Sequence, residues 1–321
     1  LKIQPGSNHI GSFIGENATV DESGNQRQLS RHGDLILHNF GYPGDGSVPG
    51  PFGGLTSDKS GALYGTTENG GSGCLGSGGC GIVFKLSPHA STYTESILYN
   101  FQGGTAGANP EFASLIIDGH GALYGTTSAG GFNGYGVVYK LTPTTSGYKE
   151  IILHTFHGGP YDGSAPVGSV IADTNGDLYG TTTDGGLHGD GTVYKLTPKR
   201  SSYNERILIS FDSNDGWNPK GNLLLDAQGA LFGTTEGNAT PGNVFELVPN
   251  GKKYKEHILY SFKGYPNDGY APFGSLIVDS RGALYGTTIY GGKYGGGYGN
   301  GTVFKLTPVR GKYRYGESIL Y

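Results

Sequence analysis

An all-β chain, folded as a six-bladed β-propeller of four-stranded antiparallel blades, is what three observations in this sequence predict. A seven-residue phrase recurs as GALYGTT at Gly61 and Gly121, GDLYGTT at Gly176, GALFGTT at Gly229 and GALYGTT at Gly282. The copies start at nearly even spacing, and self-similarity at a period of roughly 50 marks a repeat architecture. Glycine supplies 62 of the 321 residues without any Gly-X-Y period, which excludes collagen and suits many tight turns. The 23 tyrosines and 14 phenylalanines favour strands over helices.

The last repeat shows the unit best. Ser275 to Asp279 is a short apolar run, the opening strand, followed by a tight turn at Ser280-Arg281-Gly282. Ala283 to Thr288 is the second strand, and a glycine-rich loop leads to the third, GTVFKLTP from Gly301. Glu317 to Tyr321 is the closing strand. No helical period occurs anywhere. The third strand recurs as GIVFKLSP at Gly81, GVVYKLTP at Gly136, GTVYKLTP at Gly191 and GNVFELVP at Gly242. Its period-2 alternation is that of a half-buried strand, and the closing Pro ends the ladder. The closing strand recurs as ILYNF, ILHTF, ILISF and ILYSF. The interval from the third strand's Gly to that strand's Phe is identical in all four, Gly81 to Phe101, Gly136 to Phe156, Gly191 to Phe211 and Gly242 to Phe262, so the hairpin has one geometry.

Aligned backwards from Ile36 to Phe40, the segment 1–40 reads as a degenerate copy with Gly11 to Gly15 and Gly24 to Arg31 as its second and third strands. Only Leu1-Lys2-Ile3 stands where its opening strand belongs. The repeats then run about 1–40, 41–101, 102–156, 157–211, 212–262 and 263–321, one domain of six blades. Five or seven blades, or a β-solenoid, are the alternatives.

Composition narrows the partners. A net charge of −4 with scattered basic residues leaves no footprint for nucleic acid, and no apolar run is long enough to span a membrane. The chain begins at Leu1 without any methionine, which reads as a mature or trimmed chain. Cys74 and Cys80, close together in a Gly/Ser-rich loop, read as a loop-stapling disulfide, with free thiols the alternative; the disulfide favours an oxidising compartment. Asn17, Asn238 and Asn300 begin Asn-X-Ser/Thr sequons, glycan acceptors if the source is eukaryotic.

The phrases LYGTT, GTVFKLTP and E-x-x-L-Y-x-F, with the Gly-Gly between them, resemble the GloVer (Gloeobacter/Verrucomicrobia) tandem repeat family. The resemblance covers Gly41 to Tyr321 well and the segment 1–40 weakly. It implies an exported, surface-anchored bacterial protein and carries no catalytic residues to transfer.

Function is expected where the copies disagree. The loops between second and third strands differ in length from copy to copy and carry both cysteines and all three sequons. Those loops share one face with the segments joining each closing strand to the next repeat. The joining segments carry Asp45, Asp162, Asp215 and Asp268, each followed by Gly. Turn chemistry is one reading; a ring of carboxylates at a channel mouth, holding Ca2+ or sugar hydroxyls, is the other. Trp217, Tyr161 and Tyr270 stand in the same loops with Tyr42, Tyr265, Phe132, Tyr135, Tyr290, Tyr294 and Tyr298, flat rings suited to stacking on sugars. The Tyr-X-Glu before five of the closing strands (Glu95, Glu150, Glu205, Glu256, Glu317), with His32 and Asp34 in the sixth copy, reads as scaffold near the opposite face, and His154 and His157 read as scattered surface histidines. The expected function is a secreted or surface binding module for carbohydrate or a cell-surface polymer, without catalysis and with no cofactor other than Ca2+. The alternatives are a polysaccharide hydrolase or lyase and a self-associating structural protein.

Overall fold

The computed structural model describes residues 36–41, 44–49, 54–74, 78–90, 92–111, 114–200, 202–237, 240–293, 299–309 and 315–321. These form a β-propeller of five small antiparallel sheets and no helix. Within each sheet the strands follow chain order, so every blade is a meander.

Blade 2 shows the plan. Its opening strand, Ile116–Ile117, pairs with Leu123–Thr127, which pairs with Val137–Thr144, which pairs with Gly147–Thr155. A short ladder, Gly107–Ala108 against Ala129–Gly130, prolongs the sheet at the loop end. Blade 3 repeats this over 163–210, blade 4 over 224–261, and blades 1 and 5 over 46–100 and 269–319.

The turn between opening and second strands explains the phrase that precedes GALYGTT. In blade 2 Asp118 Oδ1 accepts the backbone N–H groups of His120 and Ala122, and Oδ2 accepts the Tyr124 hydroxyl. Asp58, Asp173 and Asp279 make the same three bonds. Asp226 makes the two backbone bonds, Phe232 having no hydroxyl to give. Such an Asx-type turn sets the angle at which the two strands meet.

The rest of the phrase joins blades. The first Thr donates to a backbone carbonyl of the following blade: Thr66 to Pro110, Thr126 to Gly168 and Thr234 to Gly274. The second Thr turns to its own loop, Thr127 to the Ala129 carbonyl and Thr182 to that of Asp184. The central Gly makes room for a ring: a Cβ on Gly125 would lie 2.5 Å from the Tyr139 hydroxyl and 2.7 Å from its Cζ.

Sheets pack face to face. One cluster joins Ala62, Tyr64 and Val83 of blade 1 to Leu115, Leu123 and Tyr139 of blade 2, and equivalent clusters follow at the next three junctions. The Phe that ends each closing strand inserts against the third strand of the next blade, Phe101 on Tyr139, Phe156 on Tyr194, Phe211 on Phe245 and Phe262 on Phe304.

The expected count of six is corrected to five among the described residues. Dividing the length by the repeat gives the degenerate 1–40 copy the weight of a full blade. What is described of it, Ile36 to Phe40, pairs in no sheet, although Phe40 stacks on Phe84 and Leu37 packs on the blade 1 core. Its Gly11 to Arg31 strands lie outside the described residues. At the far end, Ile277 and Val278 of blade 5 are 65% and 49% exposed, whereas the matching Ile116 and Ile117 of blade 2 are half-buried.

Candidate functional site

Three columns of residues from different repeats converge at the four junctions between blades and again where Ile36 to Phe40 meets blade 1. The first is the residue two before the terminal Phe of a closing strand: His38, Tyr99, His154, Ile209 and Tyr260. The second is the Asp of the joining segment: Asp45, Asp162, Asp215 and Asp268, with Ala106 in the remaining copy. The third is the Glu early in the next closing strand: Glu95, Glu150, Glu205, Glu256 and Glu317. The closing strands of successive blades run beside one another, so a residue late in one reaches a residue early in the next.

The Asp is held by its own loop. Asp162 Oδ1 accepts the Gly163 N–H at 2.6 Å and Oδ2 that of His157 at 2.8 Å. Asp268 accepts from Gly269 and Lys263 in the same way, and Asp45 from Gly46 and Gly41. Asp215 accepts from the Asp212 N–H. The turn role is therefore filled, and the carboxylates point inward: Asp45, Asp162 and Asp268 are buried rather than displayed around an opening.

Each of these Asp residues meets a Glu. Burial comes first in pushing up the Glu205 carboxyl, to about 8, followed by the Asp162 charge and a hydrogen bond between the two. Burial and Asp215 push Glu256 to about 8, and burial and Asp45 push Glu95 to about 7. Burial likewise pushes Glu317 to about 7, the Tyr260 hydroxyl working against the shift and Asp268 with it. Two carboxyls brought together in a poorly solvated junction disfavour double ionisation, which is the direction of the shift at each Glu. At the Ala106 junction Glu150 has no acidic partner; burial still raises it, opposed by bonds from the Tyr99 hydroxyl and the Gly107 N–H. On Asp162 burial acts to raise the carboxyl, but the neighbouring His154 imidazole and the backbone hydrogen bonds from His157 and Gly163 outweigh it and leave it lowered.

The first column decides what completes each pair. The Tyr260 hydroxyl stands 2.8 Å from an oxygen of both Asp268 and Glu317. Ile209 supplies nothing polar. His154 Nε2 lies 3.7 Å from Asp162 Oδ1 and 3.7 Å from Glu205 Oε1, and His38 Nε2 lies 3.4 Å from Asp45 Oδ2 and 3.5 Å from Glu95 Oε2. Reading the repeats singly placed the Glu column near the far face. The junctions bring it against the Asp column instead, and aligning the three columns across copies is the signal that reveals it. A shallow cleft lined by Gly41, Asp45, Ser47, Asn69 and Gly78 opens beside the first junction.

Exposed rings gather over the junction of blades 2 and 3. Phe132 and Tyr135 in the blade 2 loop are 81% and 47% exposed, and Tyr161 in the joining segment is 89% exposed. The loops adjoin: the Tyr135 ring lies 3.1 Å from where a Cβ on Gly158 would be, and the Tyr135 carbonyl accepts the Ala165 N–H. Trp217 and Tyr270 are half-buried, the latter 6.1 Å from Tyr290 between ring centres. Tyr265 and Tyr290 are exposed, while Tyr42, Tyr294 and Tyr298 lie outside the described residues. Cys74 and Cys80 form a disulfide, which settles the pairing. Asn300 is exposed, and Asn17 and Asn238 lie outside the described residues. Among the described residues no helix is long and apolar enough to cross a membrane.

A model of the Gloeobacter/Verrucomicrobia repeat matches residues 26–236 and 112–319. No curated protein matches the chain. Among solved structures, a polysaccharide lyase of family PL25, an ulvan lyase, aligns with a TM-score of 0.52 at 12% identity, over 83% of this chain and 69% of that one. The same kind of enzyme bound to a GlcA–Rha3S saccharide gives 0.51 at 12% identity, again over 83% and 69%. A candidate 6-phosphogluconolactonase from Bacteroides uniformis gives 0.51 at 11% identity, over 82% and 69%. At such identities these are likenesses of fold alone.

Proposed function

We propose, from the premise that the chain belongs to the Gloeobacter/Verrucomicrobia repeat family, that it is an exported binding module for carbohydrate. The contact surface is the face bearing the variable loops. The observation that carries this reading is the exposure of Phe132, Tyr135 and Tyr161 on two adjoining loops. Large rings left in water gain free energy when covered, and a flat ring with polar neighbours offers an apolar platform rimmed by hydrogen-bonding groups. Asn133 and His157 supply polar groups within the two loops that carry the exposed rings, and Trp217 and Tyr270 extend the surface towards blades 4 and 5. The Cys74–Cys80 disulfide supports export, since such bonds persist in oxidising compartments.

The test is a glycan array followed by titration calorimetry of any hit. Tyr161→Ala and Phe132→Ala are each expected to weaken binding about tenfold, roughly 1.4 kcal/mol, with the far-ultraviolet spectrum unchanged. An array without signal, or a hit whose affinity neither variant alters, overturns the reading. A second reading, an enzyme acting on polysaccharide, draws on the ulvan lyases that share the fold. The paired carboxyls do not favour a hydrolase: at the histidine junctions their oxygens lie within 4.8 Å of one another in a buried seam, whereas a glycosidase holds its pair about 5–10 Å apart across an open cleft. Release of reducing or unsaturated ends from a polysaccharide would promote the enzyme.

A further inference from the structure

We propose that the two histidine junctions, His154–Asp162–Glu205 and His38–Asp45–Glu95, are binding sites for a divalent transition-metal ion of the zinc type. In each, one imidazole nitrogen and one oxygen from each carboxyl lie within 4.8 Å of one another. The ligands come from three separate segments, so only the assembled junction brings them together.

The separations point to coordination. At the second site His154 Nε2 is 3.7 Å from one oxygen of each carboxyl, beyond hydrogen-bond range. Ligand atoms about 2.0–2.2 Å from a tetrahedral ion stand roughly 3.3–3.6 Å apart, close to what is seen. His154 Nε2 is buried with no hydrogen-bond partner, and so is one oxygen of each Glu of the third column, Glu95, Glu150, Glu205, Glu256 and Glu317 alike. Orphaned buried polar atoms are costly, and among the described residues it is at the second site that an orphaned carboxyl oxygen stands 3.7 Å from an orphaned imidazole nitrogen.

The other junctions serve as internal controls. Where the first-column residue is Tyr260, its hydroxyl reaches both carboxyls at 2.8 Å and closes the gap. Where it is Ile209, two carboxyls remain but no nitrogen ligand. Among the described residues, the histidine junctions alone offer one nitrogen and two oxygens. That set suits Zn2+ and its neighbours in the first transition row better than Ca2+, which takes six to eight oxygens. Asp162 is also oriented from behind, its Oδ2 standing 2.8 Å from the His157 backbone N and 3.1 Å from His157 Nδ1; such outer contacts fix a ligand's direction. Three protein ligands leave a fourth position for water or a ligand hydroxyl. Metal binding at these seams does not depend on carbohydrate binding at the loops.

The experiment is calorimetric titration of the untagged, metal-free full chain with ZnCl2 near pH 7.5, with Co2+ absorption as a second readout. Wild type is expected to bind two equivalents. His154→Tyr, which installs the arrangement of the Tyr260 junction, is expected to bind one equivalent. The double variant with His38→Tyr is expected to bind none. Should His154→Tyr not fold by circular dichroism, Glu205→Gln takes its place with the same expected loss of one equivalent. Absence of Zn2+ binding by wild type, or an unchanged stoichiometry in the folded variants, overturns the proposal.

Discussion

Glu256→Gln isolates the energetics of one junction, because the residue facing the pair is Ile209 and no histidine or tyrosine intervenes. Burial and the neighbouring Asp215 raise the Glu256 carboxyl from 4.5 to about 8 in the folded chain. Between those two values the folded chain keeps a proton that the unfolded chain has released. The stabilisation is therefore complete below about pH 4.5 and is lost progressively as the pH climbs to and through about 8. One proton corresponds to a slope of about −1.4 kcal/mol per pH unit, which accumulates to a few kcal/mol across the window. Glutamine keeps a neutral donor towards Asp215 and does not titrate. Urea unfolding followed by circular dichroism at pH 5.5, 6.5 and 7.5 reads the effect directly. Wild type should lose stability at each step, and Glu256→Gln should lose about 1.4 kcal/mol less per pH unit. Parallel pH profiles for the two proteins would refute the raised Glu256 carboxyl.

Two further substitutions test the scaffold. Gly125→Ala places a methyl 2.5 Å from the hydroxyl of the fully buried Tyr139 and 3.0 Å from Leu115; overpacking of this kind is expected to cost about 1–3 kcal/mol by chemical denaturation, and an unchanged midpoint would show that the ring has room to retreat. Cys74→Ser with Cys80→Ser opens a short loop, for which loop-closure entropy gives about 2 kcal/mol. The double variant should therefore melt lower while keeping its β spectrum, and a total loss of fold would mean that the staple carries more than its own loop.

What could be read in the repeats one at a time was whatever each repeat decides within itself. The tight turn before GALYGTT and the LYGTT strand depend on neighbours close by in the chain, so local chemistry determines them, and the structure shows them at the expected places. The Pro expected to end the third strand does not: Pro88, Pro143, Pro198 and Pro249 pair with the closing strand, and each ladder runs one residue further. The insistence of GALYGTT now has a physical cause: its Gly admits a ring, one Thr ties to the next blade, and the other ties to its own loop. Family membership was legible on the same grounds.

Blade count and junction chemistry depend on how copies meet. A degenerate first copy counts fully in a length, yet of it only Ile36 to Phe40 is described, and these residues join no sheet. Within any single repeat His154, Asp162 and Glu205 look like a strand residue, a turn residue and a scaffold carboxyl. Packing one sheet on the next places a charge column, a turn column and a variable column within a few ångströms in a poorly solvated seam. Sequence by itself determined the repeat, its strands and its turns, because these obey short-range sterics and hydrogen bonding. Tertiary structure alone decided that Asp meets Glu in a buried seam and that a histidine faces the pair at two seams, because those contacts arise only when residues from successive repeats lose water together.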